Sequence, residues 1–99
     1  MYIVRDIFRL KYGHYKDVKA LIDEANMKKM FTATPHSRML TDFTGPSYRM
    51  IFESGYEKLE DFEKQMASEM TGGSWSEWYH RFKKHVESSE REILKLFSD

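Results

Sequence analysis

The 99-residue sequence contains no cysteine, which excludes disulfide bonds, cysteine nucleophiles and cysteine-based zinc sites. It also lacks an excess of charge of either sign, because 16 basic residues balance 16 acidic ones. Nucleic-acid binders and proteins that bind anionic membranes usually show a basic surface, so neither partner is expected. Low net charge gives little repulsion between copies, and self-association is therefore easy.

Long hydrophobic runs are missing as well. The first ten residues, MYIVRDIFRL, are interrupted by Arg5, Asp6 and Arg9, and no later stretch is long enough to cross a bilayer. We therefore expect a cytoplasmic protein. The apolar fraction of 40% suffices for one small core, to which aromatic residues, 15% of the chain, contribute much of the volume. These values predict a single domain over residues 1–99.

Hydrophobic periodicity predicts an alternation of strands and helices. Alternating residues indicate strands over 2–11, 38–44 and 48–54, and the turn at Gly45-Pro46 makes the last two an antiparallel hairpin. Helical spacing covers 14–30 and 59–70, with Gly72-Gly73 as the predicted end of the second helix. Residues 89–98 fit either a strand or a helix; we favour a strand because the hairpin needs more sheet around it.

An aromatic-rich stretch, TGGSWSEWYHRFKKHV, predicts a third helix. Ser74 and Glu77 have the spacing of a capping box, which places the helix start at Ser74. Its apolar residues recur at helical spacing and form one narrow stripe, which consists of Trp75, Trp78, Tyr79, Phe82 and Val86. The simplest interpretation is burial against the sheet, and the alternative is that some of these rings line a pocket.

The resulting order, β-α-β-β-α-α-β, predicts an α+β, ferredoxin-like split βαβ sandwich: a four-stranded antiparallel sheet with helices on one face. The first strand carries large apolar residues on both faces, with Val4 and Phe8 opposite in direction to Ile3 and Ile7. A strand that is apolar on both faces is expected to be covered on both. A second copy of the same sheet is the economical cover, so we predict a homodimer through the open sheet face.

Three segments resemble the dimeric α+β barrel superfamily, and within it the NIPSNAP-like branch. They are RLKYGHYKDVKALIDEA, ESGYEKLEDFEKQM and WSEWYHRFKKHVESSEREI, and together they extend over most of the chain. The resemblance implies two sheets that face each other as a barrel with the helices outside. In some members it also implies a small-molecule pocket between sheet and helices.

Members of the superfamily include cofactor-independent monooxygenases of aromatic polyketides, haem-degrading monooxygenases, small isomerases and proteins of no known activity. The haem-degrading members carry a strand Asn where this chain has Asp6, and a Trp where it has Gln65 or Met66. Their haem-ligand His has no clear counterpart, because the local match places Lys83 there with His85 nearby. We therefore predict no haem and no other cofactor.

Three residues are candidates for catalysis. Asp6 lies in the alternating set of Val4, and a carboxylate among buried aliphatic side chains must be paired, protonated or functional. Pairing with Arg38, Arg49 or Tyr48 would make Asp6 structural, whereas a place in a cavity would suit a general base. His36 and Arg38 enter the second strand at an end that can open towards a pocket, where they would bind an anion or accept a proton.

The candidate ligand-pocket residues are all aromatic: Tyr48, Trp75, Trp78 and Tyr79. No metal site is predicted, because His80 and His85 are five positions apart and diverge on a helix. The first hypothesis is therefore a small dimeric protein that binds an apolar or aromatic molecule between sheet and helices. The alternative is a cofactor-independent monooxygenase or an isomerase with an aromatic substrate, and the sequence does not decide whether the chain is an enzyme.

Overall fold

The computed structural model describes residues 1–30, 36–70 and 73–98. The strands are β1 (Tyr2–Leu10), β2 (Arg38–Thr41), β3 (Arg49–Tyr56) and β4 (Val86–Lys95). The helices are α1 (Tyr15–Met27), α2 (Leu59–Met70) and α3 (Gly73–Phe82), and a 3₁₀ turn, Lys83–His85, leads from α3 into β4. The predicted order of elements is confirmed, and the ambiguous last segment is a strand.

The four strands form one sheet in the order β2-β3-β1-β4, and every neighbouring pair is antiparallel. The predicted hairpin is present as β2 and β3, in which Met39 lies opposite Phe52. The helices pack on one face, where the strand residues Phe8, Leu10 and Met50 enter the core. This confirms the predicted α+β, ferredoxin-like architecture.

The core occupies the end of the helix-covered face where β1 finishes. Its members are buried apolar side chains from the sheet, α1 and α3: Phe8, Leu10, Val18, Ile22, Ala25, Met50, Trp78 and Phe82. Trp78 is fully buried, and its indole N–H donates to the carbonyl oxygen of Leu21 at 2.7 Å. That bond satisfies the polar atom that burial would otherwise leave unpaired. Burial of the aromatic stripe is thus confirmed for Trp78 and Phe82.

Several predicted boundaries shift. Helix α3 begins at Gly73, so Ser74 lies inside its first turn and Gly73 starts this helix instead of ending α2. The neighbouring Gly72, like Pro35, lies outside the described residues. Helical structure stops before Val86, which pairs with Leu10 in the sheet and is not part of the helical stripe.

The connection between β2 and β3 is longer than the sequence predicts. Asp42 accepts bonds from the Arg49 backbone N–H at 3.3 Å and from its guanidinium at 2.8 Å, which holds the two ends of the connection together. Ser47 and Tyr48 have φ values of 66° and 59°, in the left-handed region that continues neither strand. Both strands are therefore shorter at this end than alternation alone predicts.

The face of the sheet without helices is mixed in character. Ile7 and Ile51 are buried at its centre, whereas the adjacent row of residues is charged. The expectation of an apolar open face holds for the central row only. Across the described residues, no helix has the length and apolar character needed to cross a membrane, and the cytoplasmic location stays a prediction.

Candidate functional site

A cavity of about 780 Å³ lies between the helix-covered face of the sheet, α2 and α3. Its floor is formed by β1 and β3 at the end away from the core, including Val4, Asp6, Ser54 and Tyr56. A volume of roughly 300–1,000 Å³ is the range in which proteins hold small molecules. The cavity is therefore large enough to accept a ligand.

The cavity exists because α2 does not bring large buried side chains onto the sheet. No residue from Leu59 to Ser68 is buried, whereas α1 and α3 each bury several side chains. The strand residues beneath α2 include the small Ser54 and the charged Asp6, which do not fill the space as Phe8 does at the other end. Shallow insertion of the α2 side chains, together with the small Ser54, leaves room between sheet and helix.

Arg91 joins the floor of the cavity to α2. It lies directly opposite Asp6 in the pairing of β1 with β4, and its Nε donates to Asp6 Oδ1 at 2.5 Å. Its Nη1 lies 3.0 Å from the sulfur of Met66, and its guanidinium lies 5.2 Å from the centre of the Phe62 ring. The stacked position on an aromatic ring is typical of arginine.

Asp6 is therefore paired across strands, as its placement among aliphatic residues requires. The partner is Arg91, not Arg38, Arg49 or Tyr48. The side chain of Asp6 is 26% exposed, and that of Arg91 is 41% exposed. Both charged groups line the cavity, so a bound molecule would meet the ion pair directly.

Aromatic rings form much of the remaining wall. Trp75 and Tyr79 from α3 stack with their ring centres 6.1 Å apart, and Trp75 also stacks on the buried Trp78 at 5.4 Å. On the opposite side the Tyr56 hydroxyl donates to Gln65 Oε1 at 2.9 Å, which links β3 to α2. The wall thus combines flat apolar surfaces with a small number of fixed polar groups.

On the open face of the sheet, Glu53 lies between two arginines of the neighbouring strands. Arg5 donates to Glu53 Oε2 at 3.0 Å, and Arg38 donates to Oε1 at 2.8 Å. Burial alone would raise the pKa of the Glu53 carboxyl, but the hydrogen bonds from Arg38 and Arg5 outweigh it and hold the pKa below its ordinary value. Glu53 is therefore ionised near neutral pH and fixes the position of Arg38.

The structure brings together four of the seven residues that the sequence singles out. Asp6, Arg38, Trp75 and Tyr79 line the cavity. Trp78 lies in the core behind Trp75, where it supports that ring.

Two candidates lie elsewhere. His36 is exposed beside Gly55. Tyr48 contacts Tyr12 in a tilted arrangement with ring centres 5.2 Å apart, and it borders a separate, shallower depression of about 390 Å³. Neither residue lines the main cavity.

Sequence reasoning did not identify Arg91, Tyr56 or Gln65 as site residues. Arg91 falls in the segment whose helix or strand character was ambiguous, so its strand partner could not be assigned. Once residues 86–95 are treated as a strand beside β1, the opposite charges of Asp6 and Arg91 are a usable signal, because cross-strand ion pairs favour one register.

Comparison with solved structures finds the same fold in several proteins. A NIPSNAP family protein from Agrobacterium tumefaciens superposes with a TM-score of 0.85 at 22% identity, over 98% of this chain and 88% of that one. An uncharacterised NIPSNAP-like domain protein from Burkholderia xenovorans gives 0.86 at 17% identity, over 99% and 88%. An antibiotic biosynthesis monooxygenase gives 0.72 at 11% identity, over 99% and 100%.

No family model matches the sequence, and no curated protein matches it. At identities of 11–22%, the structural matches establish architecture and carry no information about substrate. The resemblance drawn from the three sequence segments is confirmed at that level. The chain has the α+β fold of NIPSNAP family structures and, at lower similarity, that of an antibiotic biosynthesis monooxygenase.

Proposed function

We propose that this chain binds a small molecule with an apolar or aromatic body in the cavity between the sheet and helices α2 and α3. The observation that carries the proposal is the composition of the cavity wall. Trp75, Tyr79 and Phe62 offer flat apolar surfaces, and the Asp6–Arg91 pair lies among them. Such a site suits a ligand with an aromatic body and one oxygen-bearing group.

The oxygen-bearing group is expected to bind at Arg91. Two donors of its guanidinium contact Asp6 and Met66, and a guanidinium has five N–H donors in all. Lys83 also lines the cavity and adds positive charge at its edge. A carboxylate, phenolate or carbonyl oxygen on the ligand fits this environment better than an amine does.

The test looks for a bound molecule and then blocks the cavity with a larger side chain. Purified protein is first analysed by native mass spectrometry for a co-purified molecule, and is then screened by ligand-observed NMR against aromatic carboxylates and hydroxylated aromatics. Ser54→Phe places a ring on the cavity floor and is expected to weaken binding at least about tenfold, because a bound ligand and the new ring compete for one space. Ser74→Phe is the matched control, since Ser74 is exposed on α3 and does not line the cavity.

Unchanged binding in Ser54→Phe would place the ligand elsewhere and refute the proposal. Failure of the native protein to bind any member of a broad panel, with no co-purified molecule, would also count against it. Circular dichroism on both variants confirms that a loss of binding does not reflect a loss of fold.

The second candidate function is a cofactor-independent monooxygenase or an isomerase. The observation in its favour is a carboxylate, Asp6, in contact with a cavity of aromatic character. In either reaction Asp6 would accept a proton from an acidic O–H or C–H of the substrate, and Arg91 would stabilise the resulting anion. Aerobic and anaerobic incubation with hydroxylated aromatics tests the oxygenase version, and absence of an oxygen-dependent product would exclude it for that panel.

We further propose a homodimer through the open sheet face. One row of charged side chains crosses this face from strand to strand, and its charges alternate in sign. Its members are paired neighbours on β2, β3, β1 and β4, in the order Arg38, Glu53, Arg5 and Glu92. A two-fold axis parallel to the strands, between β3 and β1, reverses this order in the second copy. Each positive side chain then faces a negative one of the partner, and Ile51 faces Ile7 in the next row.

One further row opposes this arrangement, because the same axis brings Arg49 towards Arg9 of the partner. Arg49 is already paired with Asp42, with side-chain atoms 2.8 Å apart, and this pairing reduces the repulsion. The row also lies at the end of the strands, where the twist of two packed sheets separates them. The favourable contacts in the central rows therefore outweigh the repulsion between Arg49 and the partner's Arg9.

Sedimentation at micromolar concentration tests the dimer, and Glu92→Arg tests the orientation. The substitution places two arginines opposite each other, so the dissociation constant of the dimer is expected to rise by on the order of tenfold at low salt. Glu87→Arg, at the irregular end of the same strand, is the control. A monomer in the unaltered protein would refute the dimer, and equal effects of the two substitutions would refute the proposed axis.

A further inference from the structure

A cluster of two histidines and one aspartate lies outside the cavity, near the end of β1. His14, Asp17 and His85 each offer one ligand atom, and these atoms lie within 4.8 Å of one another. The Nδ1 atoms of His14 and His85 are 2.9 Å apart. None of the three residues lines the cavity, so the cluster is independent of the proposed ligand site.

We propose that His14, Asp17 and His85 form a binding site for one divalent transition-metal ion of the zinc type. Two imidazole nitrogens and one carboxylate oxygen form a donor set that suits Zn²⁺, Co²⁺ or Ni²⁺, whereas Mg²⁺ and Ca²⁺ prefer oxygen donors alone. Three protein ligands leave a further coordination position for water or a small anion.

The distance between the histidines fits this role with a small adjustment. Zn–N bonds of about 2.0–2.1 Å at tetrahedral angles place two ligand nitrogens about 3.3 Å apart. The 2.9 Å separation therefore has to open by only a few tenths of an ångström. Without a metal, one neutral imidazole donates its Nδ1 proton to the other, and with a metal both Nδ1 lone pairs point at the ion while each proton resides on Nε2.

The backbone holds the two histidines in place. Lys11 N–H donates to the carbonyl oxygen of His85 at 2.9 Å, and His14 N–H donates to the carbonyl oxygen of Lys11 at 3.0 Å. Gly13 has φ +83°, which allows the chain to turn from β1 into α1 at this point. Asp17 follows His14 by three residues at the start of α1, so the two side chains lie on the same side of the helix.

The side chains are accessible enough to take up an ion. His14 and His85 are half-buried, and Asp17 is exposed. Partial burial orients the imidazoles and limits competition from water, and exposure of the carboxylate leaves an entry path. Sequence analysis did not identify this cluster, because it compared His80 with His85 on one helix and did not consider His14, which is 71 positions away from His85.

The test is a titration of tag-free, EDTA-treated and desalted protein with Co²⁺, followed by visible absorption. One equivalent of Co²⁺ per chain is expected to give the d–d bands of a site with nitrogen and oxygen ligands. His14→Gln and His85→Gln are each expected to weaken binding at least about tenfold, because loss of even a partner beyond the ligands costs about 10–100-fold. His80→Gln, a histidine outside the cluster, is expected to bind as the native protein does.

Asp17→Asn supplies a variant that is safe for folding, because Asp17 is exposed and makes no core contact. It is expected to weaken Co²⁺ binding, whereas Asp23→Asn on the same helix is not. Circular dichroism checks the fold of every variant. Absence of d–d bands in the native protein would overturn the site, and so would equal losses in His80→Gln and His85→Gln.

Discussion

The two ends of the helix-covered sheet face are built in opposite ways. At the end near Leu10, Phe82 contacts Phe8 edge-to-face with ring centres 5.0 Å apart and stacks on Trp78 at 5.1 Å. At the end near Val4, the contacts between sheet and α2 include Arg91 on Phe62 and Tyr56 on Gln65, around a cavity. The first end is suited to stability, and the second has space and polar groups that are suited to binding.

The largest expected effect on stability comes from the end near Leu10, the packed end, as opposed to the cavity end near Val4. Phe82→Ala removes a fully buried ring and should lower the free energy of unfolding by about 3–5 kcal/mol. Phe62→Ala, the matched change at the cavity end, should cost only about 1–2 kcal/mol because the ring is half-buried. Urea unfolding at one fixed protein concentration measures both, and equal losses would contradict the comparison.

A second prediction concerns the strand end beside the cavity. A Cβ atom at Gly55 would lie 2.8 Å from the Cβ of His36, so Gly55→Ala forces β3 and the chain before β2 apart. We expect a loss of about 1–3 kcal/mol in the free energy of unfolding. Gly73→Ala, in the first turn of α3 with no atom within 4 Å of the new methyl group, should instead stabilise the protein by about 0.5–1 kcal/mol. If Gly55→Ala left the free energy of unfolding unchanged, the close approach of Gly55 to His36 would be absent in solution.

The smallest expected effect is electrostatic and depends on pH. The pKa of Glu53 is lower in the folded protein than in the unfolded chain, so its ionised form stabilises the fold above the unfolded value of about 4.3. That stabilisation should disappear as the pH falls through the lower, folded pKa. Glu53→Gln should cost about 1 kcal/mol at pH 7, since the exposed Arg38 is screened by water, and the difference should shrink by about pH 3.

Urea unfolding at several pH values measures this difference. Asp23→Asn is the control, because the Lys19–Asp23 pair is exposed on α1 and should contribute little at any pH. A Glu53→Gln deficit that stays constant from pH 7 to about pH 3 would show that the carboxyl is not tied to Arg5 and Arg38 in solution.

The packed end could be predicted from the sequence, and the cavity end only in part. The residues Val18, Ile22, Trp78 and Phe82 recur at helical spacing, and spacing on one helix is enough to identify its buried side. The alternation in β1 separated Phe8 from Ile7, but it did not indicate which of the two faces the helices cover. Local periodicity therefore predicts the core wherever one element contributes several buried residues.

The cavity depends on pairs of residues that are distant in the sequence. Asp6 and Arg91 are 85 positions apart, and their contact depends on the register of β4 against β1. No local pattern fixes that register, which explains why the anomaly of Asp6 was detected while its partner was not. Tyr48 was predicted as a pocket residue from its residue type alone. No local pattern indicated the left-handed turn after β2, which directs the chain away from the cavity.

The loose attachment of α2 has a consequence for how the protein fluctuates. Local opening costs least where few side chains are buried, so the amide hydrogens of α2 should exchange with deuterium sooner than those of α1. A molecule held beneath the helix would slow that exchange without changing it in α1. The helix would then act as an internal, label-free indicator of occupancy, even for a compound whose identity is unknown.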